Sequence, residues 1–549
     1  MISLKLSEDR CYKVLISVLI AISFFSLSNE VMEPDGALYA SISKNMILRN
    51  DWLNLYVHGK DWLDKPHLPF WLAAASFKLF GISAFAYKLP SFLISLMGTF
   101  YLYRFTADYF NRKTALISAI IFLTSLHVLI SNSDVRAEAY LAAFVTAAIY
   151  HYDRARQKSF LHIVAGSFFA ACAVMVKGIF VLVPIFCGFI IYWAITRQLK
   201  ELLKPKWWIA ITLILIFITP ELYSLYVQFD LHPEKTVFGQ QGVSGLRFFF
   251  WDSQFGRFFN TGPIKGKGDL SFFLHTTLWA FLPWSVLFYV GIVDLFKKHS
   301  RSVLPPETII VWSSAFITFL LFSFSKFQLP HYILIIFPQF SIITALYLVR
   351  ISEKRIKTFL IIQNVIFLIV VLLLGTIAVC FKFQFYEVAL AILLITSVSV
   401  FLLFKGASIK TIVSRGAVLS IGIMSFLYLF FYPSILKYQS GMEAGKWLQA
   451  NDIKAIPAVF RYDHAFSFDF YANKEVKYLY DDADLEETKD QKETVIYTHE
   501  SELPYLKSKY NLEILKQFDY YHITKLKAKF ILAKSRPSVL EHFYLVKIK

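Results

Sequence analysis

The sequence is short of charge, of cysteine and of nucleotide-binding glycine motifs, and each shortage excludes a class of protein. Only 17% of its 549 residues are Asp, Glu, Lys or Arg, against roughly 25% in an ordinary soluble domain. A single soluble globule is excluded. The four cysteines, Cys11, Cys172, Cys187 and Cys380, lie in or beside apolar runs without C-x-x-C spacing, which argues against a disulfide framework or a cysteine-based zinc site. No GxGxxG or GxxxxGKS loop occurs, so no nucleotide cofactor is indicated. Internal repeats and inverted pairs of Gly/Pro-broken spans are also missing, which weighs against a secondary transporter.

What the chain has in abundance is apolar and aromatic surface: 56% hydrophobic and 18% aromatic residues, with a mean hydropathy of +0.52. That composition suits contact with acyl chains and membrane interfaces. Runs long enough to cross ~30 Å of hydrocarbon recur through the first 433 residues. Thirteen spans are expected, near 14–29, 89–103, 115–131, 138–152, 161–176, 179–195, 207–226, 271–293, 308–324, 331–349, 358–380, 388–404 and 416–432. As one helix at ~1.5 Å per residue, the stretch from Leu161 to Ile195 would reach about 52 Å and overshoot the membrane. It must fold back, and Lys177-Gly178 is the natural turn. The first span has no small-x-small cleavage site after it and is read as retained.

Basic residues gather in alternate connections, from Lys5, Arg10 and Lys13, through Arg104, Arg112 and Lys113, then Arg154, Arg156 and Lys158. The pattern continues past Lys297, Lys298 and Arg301 to Lys405, Lys410 and Arg415. By the positive-inside rule these connections are cytoplasmic, as is the N-terminus. The formal net charge of +17 is then mostly a topology signal toward an anionic leaflet, and a nucleic-acid partner is excluded. Three segments fall outside: 30–88, 221–270 and the tail. A membrane domain over 1–433 is expected to give way to a small periplasmic α/β domain over 434–549, where strand-like runs appear at 458–462, 476–480 and 494–498. The acidic run Asp481 to Glu487 reads as a solvated loop in preference to a metal site.

The first external loop carries the densest set of unusual residues: Glu33-Pro34-Asp35-Gly36, Tyr39, then Asp64-Lys65-Pro66. Leu38, Ile42 and Met46 recur every four residues, which predicts a helix lying on the membrane surface with Asp35 at its start. Asp35 is then either a helix N-cap or a carboxylate held in a cavity. Lys65, between a carboxylate and a proline turn, is either a phosphate partner or a snorkelling lysine. Lys177 and Lys326 sit at short external turns where loop solubility does not explain them, and Arg136, Glu138 and Arg257 are further external charges. Cations and carboxylates together on one side of a membrane bundle fit an anionic, lipid-linked substrate such as a polyprenyl phosphate sugar. Transfer from it needs a base for the acceptor hydroxyl, for which Asp35 is the candidate, and neutralisation of the leaving phosphate, for which Lys65, Lys177, Lys326 and Arg257 are candidates. Asp64, Asp134, Glu138 and His67 could instead converge on a divalent metal, although pairing with Lys65 and Arg136 is the simpler account.

Asp35-x-x-x-Tyr39-Ala40, Asp51-Trp52, Gly59 with Leu63-Asp64-Lys65-Pro66-x-x-x-x-Trp71, and Phe80-Gly81 together resemble the first periplasmic loop of GT-C glycosyltransferases. The nearest resemblance is to protein O-mannosyltransferases and to the family that adds 4-amino-4-deoxy-L-arabinose to lipid A. Arg136-x-Glu138, Lys177-Gly178, Pro283-Trp284 and Ser325-Lys326-x-x-Leu329-Pro330-x-Tyr332 extend the match over about the first 350 residues. The resemblance implies a GT-C fold, an undecaprenyl phosphate-linked sugar donor, no certain cofactor, and a multi-pass place in a bacterial inner membrane. It also implies that Asp35 is the catalytic-site acid, that Lys65 binds the carrier phosphate, and that Lys177 and Lys326 line the donor cavity. Asp64, Tyr39, Arg136, Glu138, Arg257 and Tyr332 complete the candidate substrate-binding set. Two departures stand out. The mannosyltransferases' Asp-Glu pair is Asp35-Gly36 here, leaving Glu33 as the nearest substitute, and Lys265 and Lys267 stand where those relatives carry a histidine.

The expected activity is therefore transfer of a sugar to lipid A or another envelope glycan, with protein as a second acceptor. A lipid-linked glycan flippase and an O-antigen-type ligase are the alternatives. Transport without a new glycosidic bond would identify the first, and a diphosphate donor the second.

Overall fold

The computed structural model describes residues 7–157, 159–297, 304–453, 455–489 and 494–549. Of the basic residues used to orient the chain, Lys5, Lys158, Lys298 and Arg301 lie outside them. Among the described residues, seven helices are long and apolar enough to cross a membrane, against the thirteen spans expected. Four shorter apolar helices accompany them: Leu68–Phe80, Ile179–Ile195, Ser285–Leu295 and Thr308–Phe324. The stretch near 271–293 is divided, because the chain turns at Phe281 to Trp284 between helices Phe272–Ala280 and Ser285–Leu295. A multi-pass membrane protein results.

Helices α1 (Glu8–Phe25), α2 (Asp35–Arg49), α3 (Leu68–Phe80), α4 (Ala84–Tyr109), α5 (Arg112–Thr124), α6 (Leu126–Ser131), α7 (Ala137–Gln157), α8 (Phe160–Lys177) and α9 (Leu182–Ile195) form the first half. In the bundle α7 packs against both α4 and α8. Gly98 makes the first of these contacts possible: a Cβ there would lie 2.6 Å from the Ala143 Cα. Small residues admit such backbone approach where lipid supplies no hydrophobic drive between helices. The long stretch from Leu161 folds back where α8 ends, at Gly178, whose φ of 101° favours glycine.

Outside the bundle, β1 (Tyr56–Val57) and β2 (Lys60–Asp61) make one hairpin and β3 (Thr236–Val237) with β4 (Gln240–Gln241) another. The C-terminal part folds as a five-stranded mixed sheet of β5 (Ile456–Phe460), β6 (Lys477–Leu479), β7 (Thr494–His499), β8 (Leu512–Tyr520) and β9 (Glu541–Ile548). Its order is β6-β5-β7-β9-β8, with β5 parallel to both β6 and β7 and the remaining pairs antiparallel. The acidic run read as a loop is instead the start of the helix Asp482–Lys489. Asp484 accepts the backbone N–H of Tyr480, and Asp482 pairs with Lys509 and Tyr505, so carboxylates at a helix N-terminus explain the run.

Helix α2 also departs from the expectation of a membrane-surface helix. Its Ile42 and Met46 pack with Leu55, Val57 and Phe70 of the first loop. On another side, Lys44 is fully buried and reaches the Asp469 carboxylate at 3.1 Å, while the Ser41 hydroxyl donates to the Phe466 carbonyl. The apolar periodicity was real, but the surface it meets is protein.

Candidate active site

The first loop turns back on itself between α2 and α3 and so brings Asp35, Tyr39, Asp64 and Lys65 together. These side chains line one polar chamber with Arg136, Glu138, Arg257, His331 and Tyr332. Asp35 is the first residue of α2, and the N-cap position is Pro34. The Asp35 carboxylate meets the Arg136 guanidinium at 2.9 Å, and Arg136 also holds Asp134 at 2.7 Å through Nε. The N-cap alternative is thereby set aside in favour of the cavity carboxylate. Burial pushes the Asp35 carboxyl above the ordinary aspartate range, outweighing the opposite pull of Arg136. Tyr39 is held edge-on between Trp62 and Phe70, and burial with nearby carboxylates keeps its phenol protonated.

Asp64 lies between two cations, pairing with Lys65 through one oxygen and Arg257 through the other. Burial alone would raise its carboxyl, but the two charges overcome this and hold it down to about 2. Lys177, at the end of α8, pairs with Glu138 and stands 3.3 Å above the Tyr332 ring. Its position is fixed by its neighbour: Gln254 donates to the Lys177 carbonyl at 3.2 Å, and any Cβ at Gly178 would sit 2.2 Å from the Gln254 amide. The Nε–H of Arg257 is buried and has no acceptor in the protein.

A second, apolar cavity of about 350 Å³ abuts the chamber. Its walls are largely Phe180, Phe248, Phe249, Phe258 and Leu321, and it shares Asp64, Lys65, Arg257 and Tyr332 with the chamber. Lys177 lines its inner end. A long apolar trough thus terminates on three cations, beyond which lies the compartment containing Asp35.

Lys326 is placed elsewhere. Ser325 and Phe327 turn toward the apolar cavity, so the residue between them faces out, into a separate groove with Phe258, Phe259 and Phe324. Lys265 and Lys267 are exposed. Glu33 does not replace the second carboxylate beside Asp35: it is turned away, accepting the Ser467 N–H at 3.0 Å. A Cβ at Gly36 would instead lie 3.4 Å from Asp134 Oδ1, so the neighbouring carboxylate comes from another loop. His67 and Glu221 form a fully buried pair, Nδ1 to Oε1 3.0 Å, with the His67 N–H also donating to Glu221. Among the described residues no three His, Cys, Asp or Glu side chains converge as metal ligands. Each carboxylate proposed as such a ligand, Asp64, Asp134 and Glu138, is paired with a cation, and His67 is taken up by Glu221.

His331 was not singled out from the sequence. It contacts Arg136 at 3.1 Å and lies 3.9 Å from Glu138, which makes it part of the chamber's charge network. The signal was its place in Leu329-Pro330-x-Tyr332, between a helix-starting proline and a chamber-lining tyrosine.

Residues 64–223 match the family model described as dolichyl-phosphate-mannose-protein mannosyltransferase. A protein of Aquifex aeolicus is 29% identical, over 68% of this chain and 70% of its own. The undecaprenyl phosphate-alpha-4-amino-4-deoxy-L-arabinose arabinosyl transferase of Shewanella sediminis is 26% identical, over 63% of this chain and 62% of its own. The chain therefore spans about three fifths of that named transferase. The crystal structure of ArnT from Cupriavidus metallidurans bound to undecaprenyl phosphate superposes with a TM-score of 0.76, covering 97% of both chains at 16% identity. At that identity the likeness concerns the fold.

Proposed function

We propose that this chain, a membrane glycosyltransferase of the GT-C superfamily, moves a sugar from undecaprenyl monophosphate to an acceptor outside the bacterial inner membrane. The acceptor is lipid A or another envelope glycan ahead of protein. One observation carries the reading: an apolar trough ends on Lys65, Lys177 and Arg257, and the buried Arg257 Nε–H lacks a protein acceptor. The phosphate-proximal units of a polyprenyl chain suit the trough, and a phosphate oxygen fits the open donor, since a guanidinium binds phosphate through a planar fork.

With the phosphate there, the sugar occupies the chamber beside Asp35. The acceptor oxygen attacks the anomeric carbon, and the bond from that carbon to the phosphate oxygen breaks. The departing monophosphate keeps the electron pair, and Lys65, Lys177 and Arg257 neutralise its charge as it develops. The acceptor proton passes to Asp35, whose upward-shifted carboxyl makes it a stronger base than an ordinary aspartate. Arg136 holds that carboxylate toward the chamber. An acceptor that is itself an ionised phosphate has no proton to lose, and Asp35 then orients it.

The trough and cation cluster predict a monophosphate carrier. In equilibrium binding, undecaprenyl monophosphate should bind the purified protein and lose roughly 10²-fold or more in affinity in Lys65→Ala, the loss expected when a buried charged contact is removed. Tighter binding of the diphosphate, with the monophosphate indifferent to Lys65→Ala, would count for a ligase-type donor.

A further inference from the structure

A third cavity, of about 220 Å³, shares Asp64 with the trough and the chamber. Segments remote in sequence build it: the β1–β2 hairpin with the residues on to Asp64, the tip of the β3–β4 hairpin, and from the C-terminal sheet Asp463, just after β5, and Tyr480, just after edge strand β6. Its lining includes Trp62, Phe238 and Tyr480 as aromatic faces and Asp61 and Asp463 as carboxylates. The walls are tied together. Lys235 and Gln228 both bind Asp61, at 3.0 and 2.9 Å, joining the two hairpins. The Tyr480 hydroxyl donates to the His58 carbonyl at 3.1 Å, and Lys60 stands 4.1 Å above the Tyr480 ring, joining the first hairpin to the sheet edge.

The residues here contrast with those of the trough. Phe238 is 41% and Tyr480 37% exposed, although neither lies in a candidate membrane span. Phe238 holds its place at the hairpin tip with φ of 54° and stacks on Phe248. The parts of these rings left exposed beside the Lys60 and Phe248 contacts, with carboxylates next to them, match a sugar ring: apolar C–H groups lie on aromatic surface, and hydroxyls donate to carboxylate oxygens. Nothing in the cavity suits a phosphate as the trough does, because its one lysine is engaged over Tyr480 and no arginine lines it.

We propose that this cavity is the acceptor subsite and that it recognises the neutral sugar ring of a glycan, delivering the acceptor hydroxyl past Asp64 to the donor. The proposal rests on the glycosyl-transfer reading above. It gives the C-terminal sheet a share in substrate choice, and it makes the transferred bond a sugar-to-hydroxyl bond.

The test uses the full-length protein, undecaprenyl phosphate-linked sugar and a lipid-glycan extract of the bacterial envelope as acceptor. Tyr480→Ala and Phe238→Ala should raise the extract concentration giving half-maximal transfer about tenfold, with the maximal rate and undecaprenyl monophosphate binding unchanged. Tyr480→Phe, which keeps the ring, should restore the wild-type value. Periodate oxidation of the extract should abolish acceptance, whereas phosphatase or protease treatment should leave it intact. Loss of acceptance after phosphatase or after protease overturns the proposal in favour of a phosphate or protein acceptor. So does a fall in maximal rate at unchanged half-saturation. Absence of transfer by the wild-type protein would instead overturn the reading on which the proposal rests.

Discussion

Asp35 and Asp64 sit in the same loop and differ in the charges that face them. Asp64 has two cations and stays ionised throughout any practical assay. Asp35 has one guanidinium, shared with Asp134, and burial prevails. A raised carboxyl takes up a proton at a higher pH than a free aspartate does, about 3.9. Transfer to a hydroxyl should therefore fall as pH drops through that raised value, giving an acid limb displaced upward. Asp35→Asn should lower kcat roughly 10²- to 10⁴-fold, the usual span for a general base, and remove the limb. A pH–rate profile of both proteins checks this, and an unchanged limb in Asp35→Asn would assign it to another group. The stability that Asp64 contributes has the opposite sign: it is present above the ordinary carboxyl value and lost only as pH falls through about 2.

At the scale of elements, what holds Asp35 in place lies far from it in sequence. The segment from Glu30 to Lys44 is gripped by the C-terminal part at many points. The Gln439 amide accepts from Glu33 and donates to Val31, Tyr471 bonds both Glu30 and Val31, and Lys44 is buried against Asp469. Removing one partner of a buried ion pair typically costs about 3–5 kcal/mol. Lys44→Met should lower the unfolding midpoint and reduce kcat, and the double variant Lys44→Met/Asp469→Leu should recover much of both. Calorimetry with the transfer assay measures the two effects, and independent, additive losses would contradict the clamp.

These elements also mark how far the sequence could be read. The first loop was legible because carboxylates, a lysine and prolines at membrane level have few structural uses, and Asp35, Asp64 and Lys65 do share one chamber. Arg257 was legible as an external cation and Lys177 as a charge at a turn. The partners were not. Hydropathy finds apolar stretches but is silent on which loops fold together, so the pairing of His67 with Glu221 and of Lys44 with Asp469, across 154 and 425 residues, left no local trace. Local periodicity likewise could not say that α2 is covered by protein. Nor could it say that Lys326 points outward, because a residue between two inward-facing neighbours is decided by backbone direction and not by its type.

At the scale of the whole molecule, three cavities meet at Asp64: an apolar trough, a charged chamber and an aromatic cleft. On the proposed function, lipid tail, reacting sugar and acceptor take separate walls. It also requires the C-terminal sheet to stand on the face opposite the basic connections. A cysteine at exposed Lys525, in a variant lacking Cys11, Cys172, Cys187 and Cys380, should react with a membrane-impermeant maleimide in intact spheroplasts. Labelling only after lysis would invert the topology. The central claim is that the cations at the end of the trough hold a carrier monophosphate while Asp35 serves the transfer beside it. It is tested most directly by single-turnover transfer from undecaprenyl phosphate-linked sugar in purified protein. The account predicts product from the wild type, carrier binding but little product from Asp35→Asn, and neither from Lys65→Ala. Full product from both variants would contradict it.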